Sequence, residues 1–259
     1  MNSYRKSLQA VNAMRHSGAI LARTLQRLGD AARPGVSGQD LDQIARASIT
    51  AAGALPAFLG YEGYPACVCI STNDVVVHGI PTGAPLESGD LVSIDIGVTY
   101  QGWNADGAAT FMVGEVDPEH RRLVQATREA LQAGIKQVQD GVHLGTVQAA
   151  IQAVAEREHL GIVRTLTGHG IGQSLHEPPS IPNFGTQGTG PKLKEGMTIC
   201  LEPMLTLGGA AVITDQDGWT IRTKDGSISA HEEHTILVTK QGAEILTKYQ
   251  RATPVDIKE

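Results

Sequence analysis

The sequence predicts an α+β fold made of two similar halves in one domain. Two helical stretches followed by several short strands occur twice along the 259 residues. The segment 34–53, PGVSGQDLDQIARASITAAG, resembles 140–161, DGVHLGTVQAAIQAVAEREHLG, and this offset indicates an internal duplication. No Ser/Pro/Gly-rich linker or charge run separates the halves. We therefore expect a single domain over 1–259, with halves of roughly 1–110 and 111–259, whose sheets form one curved surface with the helices outside.

Each half is expected to begin with two helices. Residues 3–30 place apolar side chains at helical spacing, namely Leu8, Val11, Met14, Leu21, Leu25 and Leu28. A second helix begins near Ser37, a residue type that favours the N-cap, and ends at Gly53. Helical periodicity returns in PEHRRLVQATREALQAGIKQVQ and TVQAAIQAVAEREH.

Short β-branched runs follow each helical pair. The segments ACVCIS, DVVVHGI, LVSIDIGVTY and GAATFMVG are bounded by Gly, Pro and Asn, which is typical of antiparallel strands. In the second half, strands are predicted around 163–170, 197–206, 211–214, 219–222 and 233–239.

The composition argues against membrane, secreted, disulfide-rich and nucleic-acid-binding proteins. The chain is 41% hydrophobic and 19% charged, its net charge is −6, and it contains three cysteines. No apolar run reaches the roughly 18 residues that a membrane helix needs, and the first residues lack the apolar core of a secretory signal. Three cysteines make no disulfide framework, and the negative charge argues against stable nucleic-acid binding. We therefore expect a cytoplasmic protein that binds neither membranes nor nucleic acids.

Two aspartates occupy neighbouring strand-like runs, Asp95 in SIDIGVT and Asp106 in GWNADGAAT. Their midpoint falls between Tyr100 and Gln101, so a tight hairpin turning there would put the two carboxylates directly opposite each other, roughly 5 Å apart at Cβ. Facing aspartates repel unless a cation lies between them. The alternative is that one of them points to solvent or caps a turn.

Two glutamates lie beside other β-branched runs, Glu202 in TICLEPMLT and Glu233 in HEEHTILVT. The HEEH segment differs from the helical zinc motif, because its spacing and the adjoining TILVT favour a strand. The pattern does not decide whether Glu232 or Glu233 faces inward. Each glutamate taken alone is best interpreted as a solvated strand residue, since burial of an unpaired charge is costly.

One imidazole completes a possible metal site. His169 lies in TGHGIG, whose glycines allow backbone and ligand to approach closely. A lone histidine is more often structural, so the hypothesis depends on the whole set. Four carboxylates and one imidazole suit a pair of divalent cations such as manganese, iron(II) or cobalt, with zinc or nickel as further options.

Five blocks of the chain occur in order from end to end: GYEGYPACVCISTNDVVVHGIP, SIDIGVTYQGWNADGAATFMVG, GHGIGQSLHEPPSIPNFG, GMTICLEPM and DGWTIRTKDGSISAHEEHT. Together they resemble the methionine aminopeptidases of the bacterial, type I kind. The resemblance implies the pita-bread fold, in which two pseudo-symmetric halves form a curved antiparallel sheet with helices on the outer face. It also implies metal-dependent removal of N-terminal methionine, preferably before a small second residue.

The resemblance assigns the metal ligands by matching motif positions, and they fall on Asp95, Asp106, His169, Glu202 and Glu233. Asp106 and Glu233 would bridge two divalent cations. Asp95 would bind one cation, and His169 with Glu202 would bind the other. A metal-bound hydroxide would attack the scissile carbonyl, and Glu202 would carry the proton to the leaving amine.

The remaining site residues are assigned by the same resemblance. His176 would stabilise the oxyanion and His78 would contact the substrate amide, although either histidine taken singly is better interpreted as packed or capping. The pocket for the methionine side chain would be lined by Tyr61, Tyr64, Cys69 and Trp219, which suits a thioether. Leu175 stands where relatives often carry Phe, which would widen the pocket slightly.

The resemblance carries further expectations about cofactors and partners. Asn73, Val75 and Ser229 match a backbone-rich site for a monovalent cation, sodium or potassium. The substrate would be the N-terminus of a nascent chain, deformylated and reached at the ribosome through the domain surface. The protein would be a monomer.

Three alternatives remain at this point. A proline-directed peptidase of the same fold would share the five ligands, but such enzymes typically carry an extra N-terminal domain, and only about 55 residues precede the first pocket block. A catalytically silent pita-bread protein would bind peptides, but such proteins lose ligands. Type II aminopeptidases carry a helical insertion between His176 and Glu202, for which 26 positions leave no room.

Overall fold

The computed structural model describes residues 5–249. This range contains four α-helices: α1 Leu8–Ala31, α2 Gly38–Ala51, α3 Pro118–Gln137 and α4 Leu144–Arg157. The strands up to α3 are β1 Leu55–Pro56, β2 Val68–Thr72, β3 Val75–Val77, β4 Leu91–Tyr100 and β5 Trp103–Met112. The strands after α4 are β6 Gly161–Ile162, β7 Thr167–Gly170, β8 Glu177–Pro182, β9 Thr198–Leu201, β10 Met204–Thr206, β11 Val212–Thr214, β12 Ile221–Thr223, β13 Ser229–His231, β14 His234–Thr239 and β15 Gly242–Ile245. The predicted α+β class is confirmed.

Capping residues explain where the first helices begin. The Ser7 hydroxyl accepts a hydrogen bond from the Ala10 amide at 3.2 Å, so α1 begins at Leu8 and not at the predicted residue 3. Before α2, the Ser37 hydroxyl accepts from the Asp40 amide at 3.1 Å, and the Asp40 carboxylate accepts from the Ser37 amide at 2.9 Å. This reciprocal pair is a capping box, and it confirms the predicted helix start near Ser37. No helix within residues 5–249 combines the length and apolar character that a membrane crossing needs.

Antiparallel pairing joins the described strands into four sheets. In one of them, β4 pairs with β5 along one edge and with β1 and β2 along the other. A five-stranded sheet has the order β15-β14-β9-β7-β8, while β13-β10-β6 and β11-β12-β3 form smaller sheets. The two larger sheets meet where Ala108 and Glu233 exchange backbone hydrogen bonds of 2.9 and 3.4 Å. The division near residue 110 into halves stays a prediction.

The helix pairs cover the outer face of the sheets. α1 packs against β4 through Leu21 and Ile94, and α3 packs near β10 through Leu123 and Leu205, all of them fully buried. Each buried leucine contributes roughly 1.5–3 kcal/mol of hydrophobic stabilisation. Because side chains alternate along a strand, the face of β4 opposite Ile94 carries Asp95. The polar face of the sheet is therefore turned away from the helices.

The hairpin between β4 and β5 turns one residue later than predicted. Gln101 and Gly102 form its two-residue turn, with φ of 50° and 77°. These left-handed values are what a tight hairpin turn requires, and glycine adopts them without steric cost.

This turn sets the register of the two aspartates. Asp95 pairs with Ala108 and Asp106 pairs with Gly97. The prediction that the two aspartates lie directly opposite each other is wrong, because moving the centre of a turn by one residue shifts the register by two. Since the shift is even, both carboxylates stay on the same face, as a diagonal pair.

The HEEH segment is not a continuous strand. β13 ends at His231 and β14 begins at His234, so Glu232 and Glu233 lie in the break between strands of different sheets. Each is 3% exposed, and the side chain of Glu202 is 13% exposed. The interpretation of these glutamates as solvated strand residues is therefore wrong. The irregular link lets two consecutive side chains turn inward, which a regular strand does not allow.

Candidate active site

A cleft of about 150 Å³ lies where the β4–β5 hairpin meets the ends of β7, β9 and β14. It brings together all eleven site residues predicted from the sequence: Tyr61, Tyr64, Cys69, His78, Asp95, Asp106, His169, His176, Glu202, Trp219 and Glu233. Leu175, at the position where relatives often carry Phe, lines the cleft as well. Phe58 and Glu62 also line the cleft and were not predicted. Glu62 lies between the predicted pocket residues Tyr61 and Tyr64, and this position in the first motif block is the signal that could have revealed it.

Three carboxylates converge at the floor of the cleft. The Thr235 hydroxyl accepts from the Asp106 amide at 2.8 Å and donates to the Asp106 carbonyl at 2.7 Å, which fixes β5 beside β14. The Glu233 amide donates to the Ala108 carbonyl at 2.9 Å. As a result, one oxygen each of Asp95, Asp106 and Glu233 lie within 4.8 Å of one another.

His169 presents a nitrogen lone pair to this cluster. Its Nδ1 lies 2.9 Å from the Gly170 carbonyl, which can only accept, so Nδ1 carries the proton and Nε2 is the free acceptor. Nε2 lies 3.6 Å from Glu202 Oε1 and 3.9 Å from Asp106 Oδ2. Burial lowers the pKa of His169 to about 4, so the ring is neutral at pH 7. A histidine whose second nitrogen donates to a carbonyl is the usual form of a metal ligand.

The glycines around His169 are required by close backbone contacts. A Cβ atom on Gly168 would lie 2.3 Å from the Cys200 carbonyl oxygen, and one on Gly170 would lie 2.2 Å from the Pro178 carbonyl oxygen. Both distances are far below van der Waals contact. The glycines therefore let β7 approach its neighbours closely enough for His169 to reach the cluster.

The electrostatics of the cleft fit divalent cations. Within residues 5–249, no lysine or arginine lines it. Burial raises the pKa of Asp95 to about 7, and burial together with the neighbouring carboxylates raises the pKa of Asp106, Glu202 and Glu233 well above their ordinary range. Asp95 Oδ1 and Glu233 Oε1 are buried without a hydrogen-bond partner in residues 5–249. Buried carboxylate oxygens normally have a donor or a cation beside them, so this donor set has room for metal ligation.

Two further histidines line the cleft above the carboxylates. The rings of His169 and His176 lie 4.3 Å apart, edge to face. His176 Nδ1 lies 2.7 Å from the Tyr61 hydroxyl. His78 has a left-handed φ of 59°, a conformation that is uncommon away from glycine. Burial lowers the pKa of His78 and of His176, which keeps both rings neutral at pH 7.

An apolar pocket adjoins the polar groups. The rings of Tyr64 and Trp219 meet edge to face with centroids 5.1 Å apart. The Tyr64 hydroxyl donates to the Gly79 carbonyl at 2.9 Å, which orients its ring. Cys69 and Leu175 are buried in the same cluster of side chains. This lining suits an unbranched apolar side chain that enters beside the carboxylates.

The residues predicted to bind a monovalent cation also lie together. Ser229 Oγ is 2.9 Å from the Asn73 carbonyl oxygen and 3.0 Å from the Val75 carbonyl oxygen. Asn73 has a φ of 59°, which turns the chain between β2 and β3.

The structure adds Cys200, which the sequence analysis did not assign to the site. It lies on β9, two residues before Glu202, and is fully buried. Its Sγ, a nitrogen of His169 and an oxygen of Glu233 lie within 4.8 Å of one another. Its place two residues before Glu202 in the block GMTICLEPM is the signal that could have revealed it.

Comparisons with known proteins agree with this geometry. The model of metallopeptidase family M24 matches residues 12–240. Methionine aminopeptidase 1 of Bacillus subtilis is 42% identical over 243 residues, covering 94% of this chain and 98% of that protein. Methionine aminopeptidase 1 of Mycobacterium tuberculosis is 46% identical over 249 residues, covering 93% and 94%.

Solved structures share the fold. The crystal structure of methionine aminopeptidase from Rickettsia prowazekii superposes with a TM-score of 0.93 at 43% identity, covering 94% of this chain and 99% of that one. The expected pita-bread fold is thereby confirmed. Prolidase from Pyrococcus furiosus has a TM-score of 0.78 at 22% identity, with 96% and 66% covered, and this likeness shows a common fold alone.

Proposed function

The chain belongs to metallopeptidase family M24, and we propose that it is an aminopeptidase that removes the N-terminal methionine of nascent proteins and peptides by metal-dependent hydrolysis. We further propose that it prefers substrates with a small second residue. The observation that carries the proposal is the cleft itself, in which an aromatic and thiol pocket adjoins the four carboxylates and one imidazole that we assign as metal ligands.

We assign the metal-binding role to five residues, Asp95, Asp106, His169, Glu202 and Glu233. The unpartnered oxygens of Asp95 and Glu233 support this assignment, as does the free Nε2 of His169. Two divalent cations, when bound, would lower the pKa of water and polarise the scissile carbonyl. The oxygen-rich donor set suits cobalt, manganese or iron(II), with zinc and nickel as further options. Asn73, Val75 and Ser229 form a candidate site for sodium or potassium.

Glu202 moves the proton in this proposal. Its Oε1 lies at the edge of the carboxylate cluster, 3.6 Å from His169 Nε2. Burial, together with the neighbouring Asp106 and Asp95, raises the pKa of Glu202 well above its ordinary range, which supports a role for this carboxylate in carrying the proton to the leaving amine. A carboxylate with an ordinary pKa would stay ionised and would be a poorer proton carrier.

His176 and His78 bind the reacting amide. His176 is oriented by the Tyr61 hydroxyl, and its Nε2 donates to the oxyanion that develops in the transition state. His78 contacts the amide from the opposite wall of the cleft. Both rings are neutral, so each donates a hydrogen bond without adding a charge that would repel the cations.

The apolar pocket selects the methionine side chain. Tyr61, Tyr64, Cys69 and Trp219 line it, and Leu175 closes it. A thioether packs well against aromatic edges. Leu175 leaves more room than the Phe that relatives often carry.

The biological setting follows from the family. We propose that the chain acts in the cytoplasm as a monomer, on deformylated nascent chains reached at the ribosome through its surface. The net charge of −6 supports the absence of stable nucleic-acid binding.

The test measures methionine release from Met-Gly-Met-Met by metal-stripped protein resupplied with manganese, iron(II) or cobalt. We expect metal-dependent release, reduced roughly 100- to 1,000-fold in His176→Ala. His16→Ala, on the exposed face of α1, is the matched control and should keep full activity. Turnover of an Ala-Pro peptide alone would favour a proline-directed peptidase, and inactivity on both peptides with every metal would favour a peptide-binding protein.

A further inference from the structure

Glu62 is a charged residue of the cleft that the proposed metal site does not use. The other carboxylates of the lining are the four proposed metal ligands, Asp95, Asp106, Glu202 and Glu233. Two divalent cations balance the charge of those four ligands. Glu62 keeps its negative charge in the loaded site, because within residues 5–249 no lysine or arginine lines the cleft to neutralise it.

Glu62 and His176 form the mouth of the cleft. Among the described residues that line it, these two are exposed, whereas the carboxylate floor and the apolar pocket are buried or half-buried. The hydroxyl of Tyr61, the residue before Glu62, lies 2.7 Å from His176 Nδ1, and the two rings meet edge to face with centroids 5.3 Å apart. A substrate whose first residue is held at the floor therefore leaves the cleft past Glu62 and His176.

The charge of Glu62 acts on both of its neighbours at the mouth. Burial and, after it, the Glu62 carboxylate raise the pKa of Tyr61. Burial lowers the pKa of His176, and the Glu62 carboxylate opposes that shift. A charge that influences both side chains is close enough to act on a peptide that His176 binds.

A tight backbone turn keeps Glu62 at the rim. Gly60, Glu62 and Gly63 have positive φ values of 83°, 47° and 91°, a conformation that glutamate rarely adopts. The Gly63 amide donates to the Gly60 carbonyl at 3.2 Å, and the Tyr64 amide donates to the Tyr61 carbonyl at 2.8 Å. These bonds close the turn on itself and fix the backbone that carries the carboxylate.

The third residue of a substrate is the first whose side chain reaches this charge. Under the proposed function, the methionine side chain fills the apolar pocket and His176 binds the scissile carbonyl, which leaves the small second residue within the mouth. An extended chain advances about 3.3 Å per residue, so the next side chain lies at the rim. Lysine and arginine carry their charge on long, flexible stems that extend to a carboxylate there.

We propose that Glu62 is a specificity-determining residue that favours substrates with lysine or arginine at the third position and disfavours those with aspartate or glutamate there. The inference rests on the proposed function, since it concerns the same cleft. An ion pair at a partly exposed rim contributes modestly, and repulsion of a like charge widens the contrast. Because the rim lies away from the scissile bond, the effect falls on KM and not on kcat.

Two amidated peptides that differ only in the third residue, Met-Gly-Lys-Met and Met-Gly-Glu-Met, test the proposal. Full-length protein is loaded with whichever of manganese, iron(II) or cobalt supports release from Met-Gly-Met-Met. At low ionic strength we expect kcat/KM to favour the lysine peptide roughly 10-fold through KM. The preference should largely disappear in about 1 M salt, where the Debye length is about 3 Å. Equal kcat/KM values at low ionic strength would overturn the proposal.

Two substitutions of Glu62 and one control assign the preference to this residue. Glu62→Gln should remove the preference, and Glu62→Lys should reverse it. Glu87→Gln is the matched control, because Glu87 is exposed, lies outside the cleft and changes the net charge of the protein equally. It should keep the preference of the unsubstituted protein. A preference that survives in Glu62→Gln, or that Glu87→Gln removes as well, would overturn the assignment to Glu62.

The outcomes separate this inference from the proposed function. Release from Met-Gly-Met-Met together with equal turnover of the two charged peptides overturns the role of Glu62 and leaves the proposed aminopeptidase standing. Absence of release from all three peptides with every metal overturns both.

Discussion

His169 and His176 have the same side chain, but their Nδ1 atoms meet different partners, which supports the different roles proposed for them. His169 Nδ1 faces a carbonyl, which accepts only and leaves Nε2 as a lone-pair donor towards the carboxylates. His176 Nδ1 faces the Tyr61 hydroxyl at 2.7 Å. That hydroxyl can donate, which leaves the proton on Nε2 of His176. This difference supports the proposal that His169 binds a cation and that His176 donates to the oxyanion.

Tyr61→Phe tests this difference at the residue scale. We expect kcat for methionine release to fall roughly 5- to 10-fold, because one hydrogen bond that orients His176 is lost. Metal content should not change, since Tyr61 is not among the proposed ligands. The measurement is steady-state kinetics with metal analysis of the purified variant.

Tyr100→Phe is the control, because Tyr100 stacks on His16 outside the cleft and contributes no group to it. It should keep the kcat of the unsubstituted protein. An unchanged kcat in Tyr61→Phe would show that His176 does not depend on the phenol.

At the scale of elements, two turn residues decide the geometry of the carboxylates. Gln101 and Gly102 both adopt positive φ, and this turn pairs Asp106 with Gly97 instead of Asp95. Glutamine bears the strain of this conformation, whereas asparagine tolerates it. The turn therefore sets the register of the two aspartates, while the backbone conformation of Gln101 within it is strained.

Gln101→Asn should stabilise the protein by up to about 1 kcal/mol, because asparagine relieves part of the left-handed strain. Gly102→Ala should destabilise it by about 1 kcal/mol, since a Cβ there meets no atom within 4 Å and only the backbone conformation is affected. Both values are measured by urea unfolding. Equal effects of the two substitutions would contradict a turn with two left-handed residues.

The turn between β12 and β13 predicts a pH-dependent contribution to stability. Asp225 accepts from the Ser227 hydroxyl at 2.7 Å, the Gly209 amide at 2.7 Å and the Ser227 amide at 3.1 Å. These bonds hold the pKa of Asp225 at about 2, below its ordinary value of 3.8. The folded state thus favours the ionised form. The contribution is complete above pH 3.8 and is lost as the pH falls towards 2.

Ser227→Ala should raise the pKa of Asp225 and shrink this acid-sensitive contribution, because the bond from the hydroxyl is the largest cause of the shift. A carboxyl-carbon NMR titration measures the pKa directly. Ser88→Ala, in a distant exposed turn, should leave the pKa of Asp225 where it is. A pKa unmoved by Ser227→Ala would refute the role of the hydroxyl.

At the scale of the whole molecule, one ion pair joins α3 to the segment that carries Glu233. Arg128 Nε donates to Glu232 Oε1 at 3.1 Å, and Arg128 Nη2 donates to the Thr110 carbonyl at 3.0 Å. The Thr110 amide donates to the same Glu232 oxygen at 3.3 Å. The side chain of Glu232 is 4% exposed and that of Arg128 is 27% exposed. The pair therefore couples an outer helix, the β4–β5 hairpin and the floor of the cleft.

Arg128→Met should destabilise the fold by about 3 kcal/mol, because it removes the guanidinium that donates to the buried Glu232 carboxylate and to the Thr110 carbonyl. Glu232→Gln added to it should recover part of the loss. Arg122→Met on the same helix removes ion pairs at the surface with Glu119 and Glu158 and one hydrogen bond to the Glu158 carbonyl, and it should cost about 1 kcal/mol. Urea unfolding measures the free energy of unfolding of the three variants. Equal losses for Arg128→Met and Arg122→Met would contradict the coupling through Arg128 and Glu232.

Metal removal should lower the stability of the whole domain. A cation that binds only the folded state stabilises it by about 2.7 kcal/mol at a hundredfold excess over Kd. We therefore expect Tm to rise as manganese is added to metal-stripped protein. Asp106→Asn, which removes a proposed bridging ligand, should abolish most of that rise. An equal rise in this variant would mean that manganese stabilises the protein from another site.

Local features of this protein were predictable from its sequence. The helix start near Ser37, the amphipathic helices and the turn-bounded strands depend on residues close in the chain. The five motif blocks also identified all eleven predicted site residues that share the cleft. The strand β8 was missed, because its segment EPPSIP contains three prolines and does not resemble a strand.

Sequence alone determined the fold class, the family resemblance and the set of candidate residues, because these depend on residue types and their spacing. The tertiary structure decided which groups actually meet: the diagonal placement of Asp95 and Asp106, the inward turn of both Glu232 and Glu233, and the approach of Cys200 to the cluster. These depend on hydrogen bonds between residues far apart in the chain, such as those joining Asp106 to Thr235. No periodic pattern within a single segment contains that information, because register and inter-sheet contact are properties of paired segments.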